Sequence, residues 1–194
     1  NKFQQKLFET PYSLIKNFQE RKINSFYFDT HNLVLLHQSL AGLSSKEKFR
    51  YRFYGDFKNS LSGQWEIKKK QGIVTSKLTY KENVEYDKLI SHSKKHNFSK
   101  NEQISKYLLK YPRIVKSISY NRRYFVSSIF GSKFRATIDY DLKSSNFLNS
   151  QSLRAKKNNL AIIELKIDKE IYDNIHIKNF LNLSRLGYSK YLEA

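Results

Sequence analysis

Alternation of apolar with charged residues is the dominant pattern along the chain. Lys48-Phe49-Arg50-Tyr51-Arg52-Phe53-Tyr54 places Lys48, Arg50 and Arg52 on one side and Phe49, Tyr51 and Phe53 on the other. Side chains two apart share a face of a strand, so this run predicts a half-buried β-strand. Gln64–Lys70 repeats the pattern, with Glu66, Lys68 and Lys70 opposite Trp65 and Ile67. Residues 118–126, 134–142 and 160–167 continue it: Tyr120, Arg122 and Tyr124; Arg135, Thr137 and Asp139; Glu164 and Lys166. Helical spacing is rarer. Leu14, Ile15 and Phe18 predict a helix over Pro11–Arg21. Ser99-Lys100-Asn101-Glu102 reads as a capping box opening a helix that ends before Pro112. Ile177–Leu186 reads as a third helix stopped by Gly187, and Asn146–Asn159 as a polar loop.

An antiparallel sheet with one solvated face would show the same alternation. Here, however, the polar faces set Arg and Lys repeatedly beside Glu and Asp. That mixture predicts an α+β fold built on a closed antiparallel β-barrel, with a polar, cationic lumen and helices packed outside.

Composition narrows the chemistry. The 194 residues suit one domain, spanning 1–194. With 39 % hydrophobic and 15 % aromatic residues, and only 6 Gly and 2 Pro, disorder is excluded. A formal net charge of +19 points to a polyanionic partner. Absence of cysteine removes disulfides, thiolate catalysis and Cys-ligated metals. Methionine is absent even at position 1, which marks the sequence as a fragment or a processed form. No run of about 18 apolar residues and no signal peptide is present, so a cytoplasmic location is expected.

Three cations at alternate positions, Lys48, Arg50 and Arg52, stand about 7 Å apart along one strand face, a spacing suited to successive phosphates. Glu66-x-Lys68 and Glu164-x-Lys166 set a carboxylate beside a cation. In a phosphate site such a carboxylate is useful if it holds Mg²⁺ or Mn²⁺, which bridges to phosphate oxygens. The five histidines have no metal-ligand spacing, and no Ser-His-Asp or Cys-His set competes.

Taken in order, these segments resemble a known family. They are Tyr27-Phe28-Asp29-Thr30, Phe49-Arg50-Tyr51-Arg52, Trp65-Glu66-Ile67-Lys68, Tyr120–Phe125, Arg135–Asp139, Glu164-Leu165-Lys166 and Ser189-Lys190-Tyr191. The family is the VTC (vacuolar transporter chaperone) domain, a polyphosphate polymerase domain of the triphosphate tunnel metalloenzyme superfamily. The resemblance implies a tunnel barrel of about eight strands. It implies transfer of the terminal phosphoryl group of ATP to a growing inorganic polyphosphate chain, with Mn²⁺ or Mg²⁺. Carried over by motif, Arg50, Arg52, Lys68, Arg122 and Arg135 are the catalytic phosphate ligands. Lys48, Lys70, Lys166, Tyr120, Ser189 and Lys190 complete the substrate set, and Glu164, then Glu66, ligate metal. One departure stands out: family members often begin with a Glu-x-Lys strand, whereas the first carboxylate here is Glu9. A tunnel triphosphatase and a non-catalytic polyphosphate-binding module use the same residue set. Nucleic acid is not an expected partner, because the cations alternate with carboxylates. A membrane partner for product export is not visible in this chain.

Overall fold

The computed structural model describes residues 13–90, 99–148, 151–152, 155–172 and 189–193. Its strands are β1 (Leu14–Asp29), β2 (Ser45–Tyr54), β3 (Ser60–Gln71), β4 (Val74–Glu85), β5 (Arg113–Ser127), β6 (Gly131–Leu148), β7 (Gln151–Ser152), β8 (Lys156–Asn158) and β9 (Ile162–Ile167). Its helices are short: α1 (Val34–Leu40), α2 (Tyr86–Ile90), α3 (Glu102–Lys110), α4 (Lys169–Tyr172) and α5 (Lys190–Glu193). Strand pairing runs β4-β3-β2-β1-β5-β6-β7, with β8 and β9 also paired to β6. The chain forms two compact units. Among the described residues, the larger draws on the segments within 22–120, 142–158 and 189–193, and the smaller comprises 13–21, 121–141 and 159–172.

In the larger unit, alternation sorts the residues as expected. Phe49, Tyr51 and Phe53 of β2, Trp65 and Ile67 of β3, and Phe26 and Phe28 of β1 are buried in one core. Leu35 of α1, Leu89 of α2, and Ile104 and Leu108 of α3 join it from the helices. Phe49 and Trp65 stack with ring centroids 5.5 Å apart. The Tyr51 hydroxyl donates to the carbonyls of Leu61 and Glu82, both at 2.7 Å. A Cβ on Gly63 would fall 2.3 Å from the Arg52 carbonyl oxygen, so glycine is what lets β3 lie this close to β2. The helices therefore cover the apolar side of the sheet. The cationic side is left to the chemistry.

The smaller unit has its own core of Leu14, Phe125, Phe134, Ala136 and Ile138. Its β6–β9 ladder is antiparallel and sets Thr137 opposite Glu164 and Arg135 opposite Lys166.

Four expectations need correction. The sheet is not closed into a barrel: among the described residues, β4 has no strand partner beyond β3. Alternation dictates which side chains share a face, but it is identical in an open sheet and a closed one. Beta4 is mostly exposed and carries Lys77 and Lys81, charges typical of a protected edge. Second, Leu14–Arg21 is strand, not helix: it extends β1, and Ile15 and Phe18 are exposed rather than stacked on a buried stripe. Third, the cap of α3 is Asn101, whose side chain accepts from the Ile104 N–H at 3.1 Å; Ser99 instead accepts from the Asn101 N–H. Fourth, Asn146–Asn159 contains the end of β6 and the short strands β7 and β8. The expected helix Ile177–Leu186 and the N-terminal departure at residues 1–9 lie outside the described residues.

Candidate active site

Register across β2, β3 and β4 stacks the cations in rows. Lys48 stands directly opposite Lys68, and Lys68 opposite Lys77. Lys46 faces Lys70, and Gln64 lies between Arg52 and Lys81. Like charges directly opposite one another destabilise a sheet. One carboxylate is embedded among them. Arg50 donates from Nε (2.8 Å) and Nη2 (2.6 Å) to Glu66 Oε2. Gln64 Nε2 (2.6 Å), Lys77 Nζ (3.1 Å) and Arg52 Nη1 (3.3 Å) meet Oε1. Glu66 is 2 % exposed. Burial opposes its charge, but Arg50, Arg52 and Lys77 outweigh that and hold the carboxyl down at about 2. Arg50 also donates from Nη1 to the Tyr27 hydroxyl at 2.7 Å. Arg52 Nε–H is buried without a protein acceptor.

The C-terminal residues cover part of this face. Lys48 Nζ donates to Ser189 Oγ at 2.8 Å, and Lys190 Nζ lies 5.1 Å from the centre of the Tyr120 ring. Burial, reinforced by Lys68, Lys46, Arg50 and Lys190, pushes the Lys48 ammonium down to about 8. Lys48, Arg50, Arg52, Glu66, Lys68, Lys70, Tyr120, Ser189 and Lys190 thus all belong to the larger unit.

A second cluster occupies the smaller unit. Arg122 grips the fully buried Asp139 with Nε–Oδ1 at 2.5 Å and Nη2–Oδ2 at 2.7 Å, so Asp139 orients an arginine. Glu164 lies 3.7 Å from Arg122 Nη2 and 3.6 Å from Lys166 Nζ, with its side chain 43 % exposed. Arg135 is exposed across from Lys166.

The sequence profile of the VTC domain matches residues 3–194. The chain belongs to the VTC domain family. No curated protein sequence matches it. Among solved structures it is similar to a putative adenylyl cyclase from Hippeastrum, described as having a dominant triphosphatase activity. Identity is 13 % and the TM-score 0.51, over 98 % of this chain and 88 % of that one, a likeness of fold.

Metal chemistry divides the two candidate carboxylates of this VTC domain. Glu66 was expected as a second metal ligand, but arginine, lysine and glutamine donors already meet both of its oxygens. It fits a counter-ion, not a metal ligand. Glu164, with its side chain 43 % exposed and its two cations at the longer distances of 3.6 and 3.7 Å, fits a hard cation such as Mg²⁺, which takes one or two carboxylates plus substrate phosphates. Among the described residues, no group of three or more His, Asp or Glu could hold a metal by itself.

Lys77, Lys81 and Lys116 escaped the sequence reading, and Tyr27 was given no role at the site. Lys77 and Lys81 alternate with Leu78 and Tyr80, and that period-2 signal in 75–81 would have extended the cationic face to β4. Tyr27 alternates with Phe26 and Phe28, and Lys116 interrupts the buried series Ile114 and Ile118, but the partners of either are set by contacts distant in sequence.

Proposed function

We propose that this VTC domain is a phosphoryl transferase that lengthens inorganic polyphosphate from ATP. A terminal oxygen of the chain attacks the γ-phosphorus of ATP. The bond from that phosphorus to the β–γ bridging oxygen breaks and ADP leaves, so the chain gains one phosphate. The observation that carries this reading is the row of opposed cations, Lys48-Lys68-Lys77, flanked by Lys46-Lys70 and Arg50-Arg52. Such a face is disfavoured until a polyanion neutralises it. The catalytic work assigned to it is positioning and charge stabilisation, without a covalent intermediate.

Arg52, and the N–H groups that Arg50 does not spend on Glu66 and Tyr27, offer donors to phosphate oxygens, with Lys48, Lys68 and Lys70 as point charges. Glu66 holds the two arginines in register from below. Ser189, Lys190 and Tyr120 bind the same anion from the C-terminal side. Arg122, Arg135 and Lys166 are further phosphate ligands, on the smaller unit. Glu164 would hold Mg²⁺ or Mn²⁺, which, when bound, neutralises charge on the phosphates.

Hydrolysis is the second reading. It is favoured by the fold likeness to a protein described as a triphosphatase. Water, rather than a chain end, would then attack the same bond. Incubation with γ-labelled ATP and Mn²⁺ separates the two. Label in long-chain polyphosphate supports transfer, label only in orthophosphate supports hydrolysis, and tight polyphosphate binding without turnover means a binding module.

A further inference from the structure

Tyr191 lies beside two proposed phosphate ligands, yet no step above uses it. Its side chain is buried, and its ring stacks on Tyr27 with centroids 4.8 Å apart and planes at 19°. Its hydroxyl donates to Asp29 Oδ2 at 3.0 Å, and its carbonyl accepts from Lys116 Nζ at 3.1 Å. Asp29 is itself immobilised. It is fully buried, and its carboxylate accepts from the backbone N–H groups of Thr30 (2.7 Å), Leu35 (2.9 Å) and Leu36 (2.9 Å), which tie it to the start of α1. Tyr27, the stacking partner, also receives Arg50 Nη1. Every group gripping Tyr191 therefore belongs to the framework that carries the cationic face.

We propose that Tyr191 is a positioning residue, a clasp that fastens Ser189 and Lys190 onto the cationic face so that both can bind phosphate. On the cationic face itself, Ser189 Oγ accepts from Lys48 and Lys190 lies over the Tyr120 ring, and the Tyr191 side chain adds a buried anchor next to them in sequence. A lysine and a serine on a loose segment lose affinity to the cost of ordering them; anchoring them beforehand removes that cost. The clasp is charge-assisted, because the Tyr191 hydroxyl donates to a buried carboxylate. The proposal rests on the phosphate reading for its purpose, but its anchoring can be measured without it.

Tyr191→Phe keeps the ring and the stack and removes the donor to Asp29. Amide hydrogen exchange over Ser189–Leu192 should accelerate by about tenfold or more, the effect of one lost hydrogen bond to a charged group. Tripolyphosphate, titrated by calorimetry, is the ligand probe. Lys190→Ala should weaken its binding about tenfold in the wild-type background and by less than twofold in the Tyr191→Phe background, because Lys190 is already displaced there. A merely structural role for Tyr191 would leave the two Lys190 effects equal. Tyr191→Ala, which also loses the stack, should exceed Tyr191→Phe in exchange rate, and melting curves on both would confirm that each variant is folded. Unchanged exchange in a folded Tyr191→Phe overturns the clasp, as does a Lys190→Ala effect of equal size in both backgrounds. A wild type that fails to bind tripolyphosphate refutes the phosphate reading instead, and with it the purpose assigned to the clasp.

Discussion

Glu66→Gln is the sharpest test of how the cationic face holds together. The substitution keeps the size and removes the charge from a carboxylate met by Arg50, Arg52, Lys77 and Gln64. Its folded value is about 2, against an ordinary value of 4.5. A folded value below the unfolded one means that stability is present above the unfolded value and is lost as pH falls through the folded one. The gap corresponds to about 3 kcal/mol at pH 7, shrinking to about 1 kcal/mol at pH 3. Removing one partner of a buried pair costs a similar roughly 3–5 kcal/mol. For a domain of this size, that lowers the melting temperature by about 6–12 °C at pH 7. Tripolyphosphate should restore much of the loss, because it supplies negative charge to the same arginines. Thermal melts of both proteins at pH 7 and pH 3, with and without tripolyphosphate, provide the assay. Equal melting temperatures at pH 7, or a deficit that does not narrow by pH 3, would refute the counter-ion argument. A stable Glu66→Gln protein that loses only metal-dependent turnover would return Glu66 to the metal site.

Three further outcomes follow from the same geometry. Phe49→Ala, at the centre of the larger core, should cost about 3–5 kcal/mol in denaturant unfolding; normal stability with lost phosphate binding would invert the assignment of the two faces. Lys48 is depressed to about 8, so tripolyphosphate binding at pH 9 should take up close to one proton, seen by calorimetry in buffers of different ionisation enthalpy, and affinity should fall as pH rises above 8; proton uptake that survives in Lys48→Met would contradict this. Glu164→Gln should leave polyphosphate binding in EDTA near normal but lower Mn²⁺-dependent turnover by roughly 10²-fold, and unchanged turnover would remove Glu164 from the site.

Much of the larger unit was legible before its structure. Phe49, Tyr51 and Phe53 alternate with Lys48, Arg50 and Arg52, and strand geometry alone separates the two sets. The failures have physical causes. Leu14, Ile15 and Phe18 satisfy helical spacing by coincidence, and pairing along β1 overrides it. Closure of a sheet depends on whether its two edges meet, and periodicity carries no information about edges. The saturation of Glu66 depends on the cross-strand register that brings Lys77 opposite Lys68 and within 3.1 Å of Oε1, and register is not visible in a single strand. The hold of Asp29 on Tyr191, 162 positions away, is a contact that no local pattern announces.

The central claim is that the sheet face carrying Lys48, Arg50, Arg52 and Lys68 binds a phosphate chain. Arg52 tests it most directly, because it shares the strand face of Lys48 and Arg50 and its Nη1 stands 3.3 Å from Glu66. Calorimetric titration of tripolyphosphate into wild type and Arg52→Ala, repeated over a range of salt, is the measurement. The account predicts a loss of about 1.5–3 kcal/mol for Arg52→Ala and a shallower salt dependence, with the fold intact by circular dichroism. Binding of equal strength and equal salt dependence in the two proteins would contradict it.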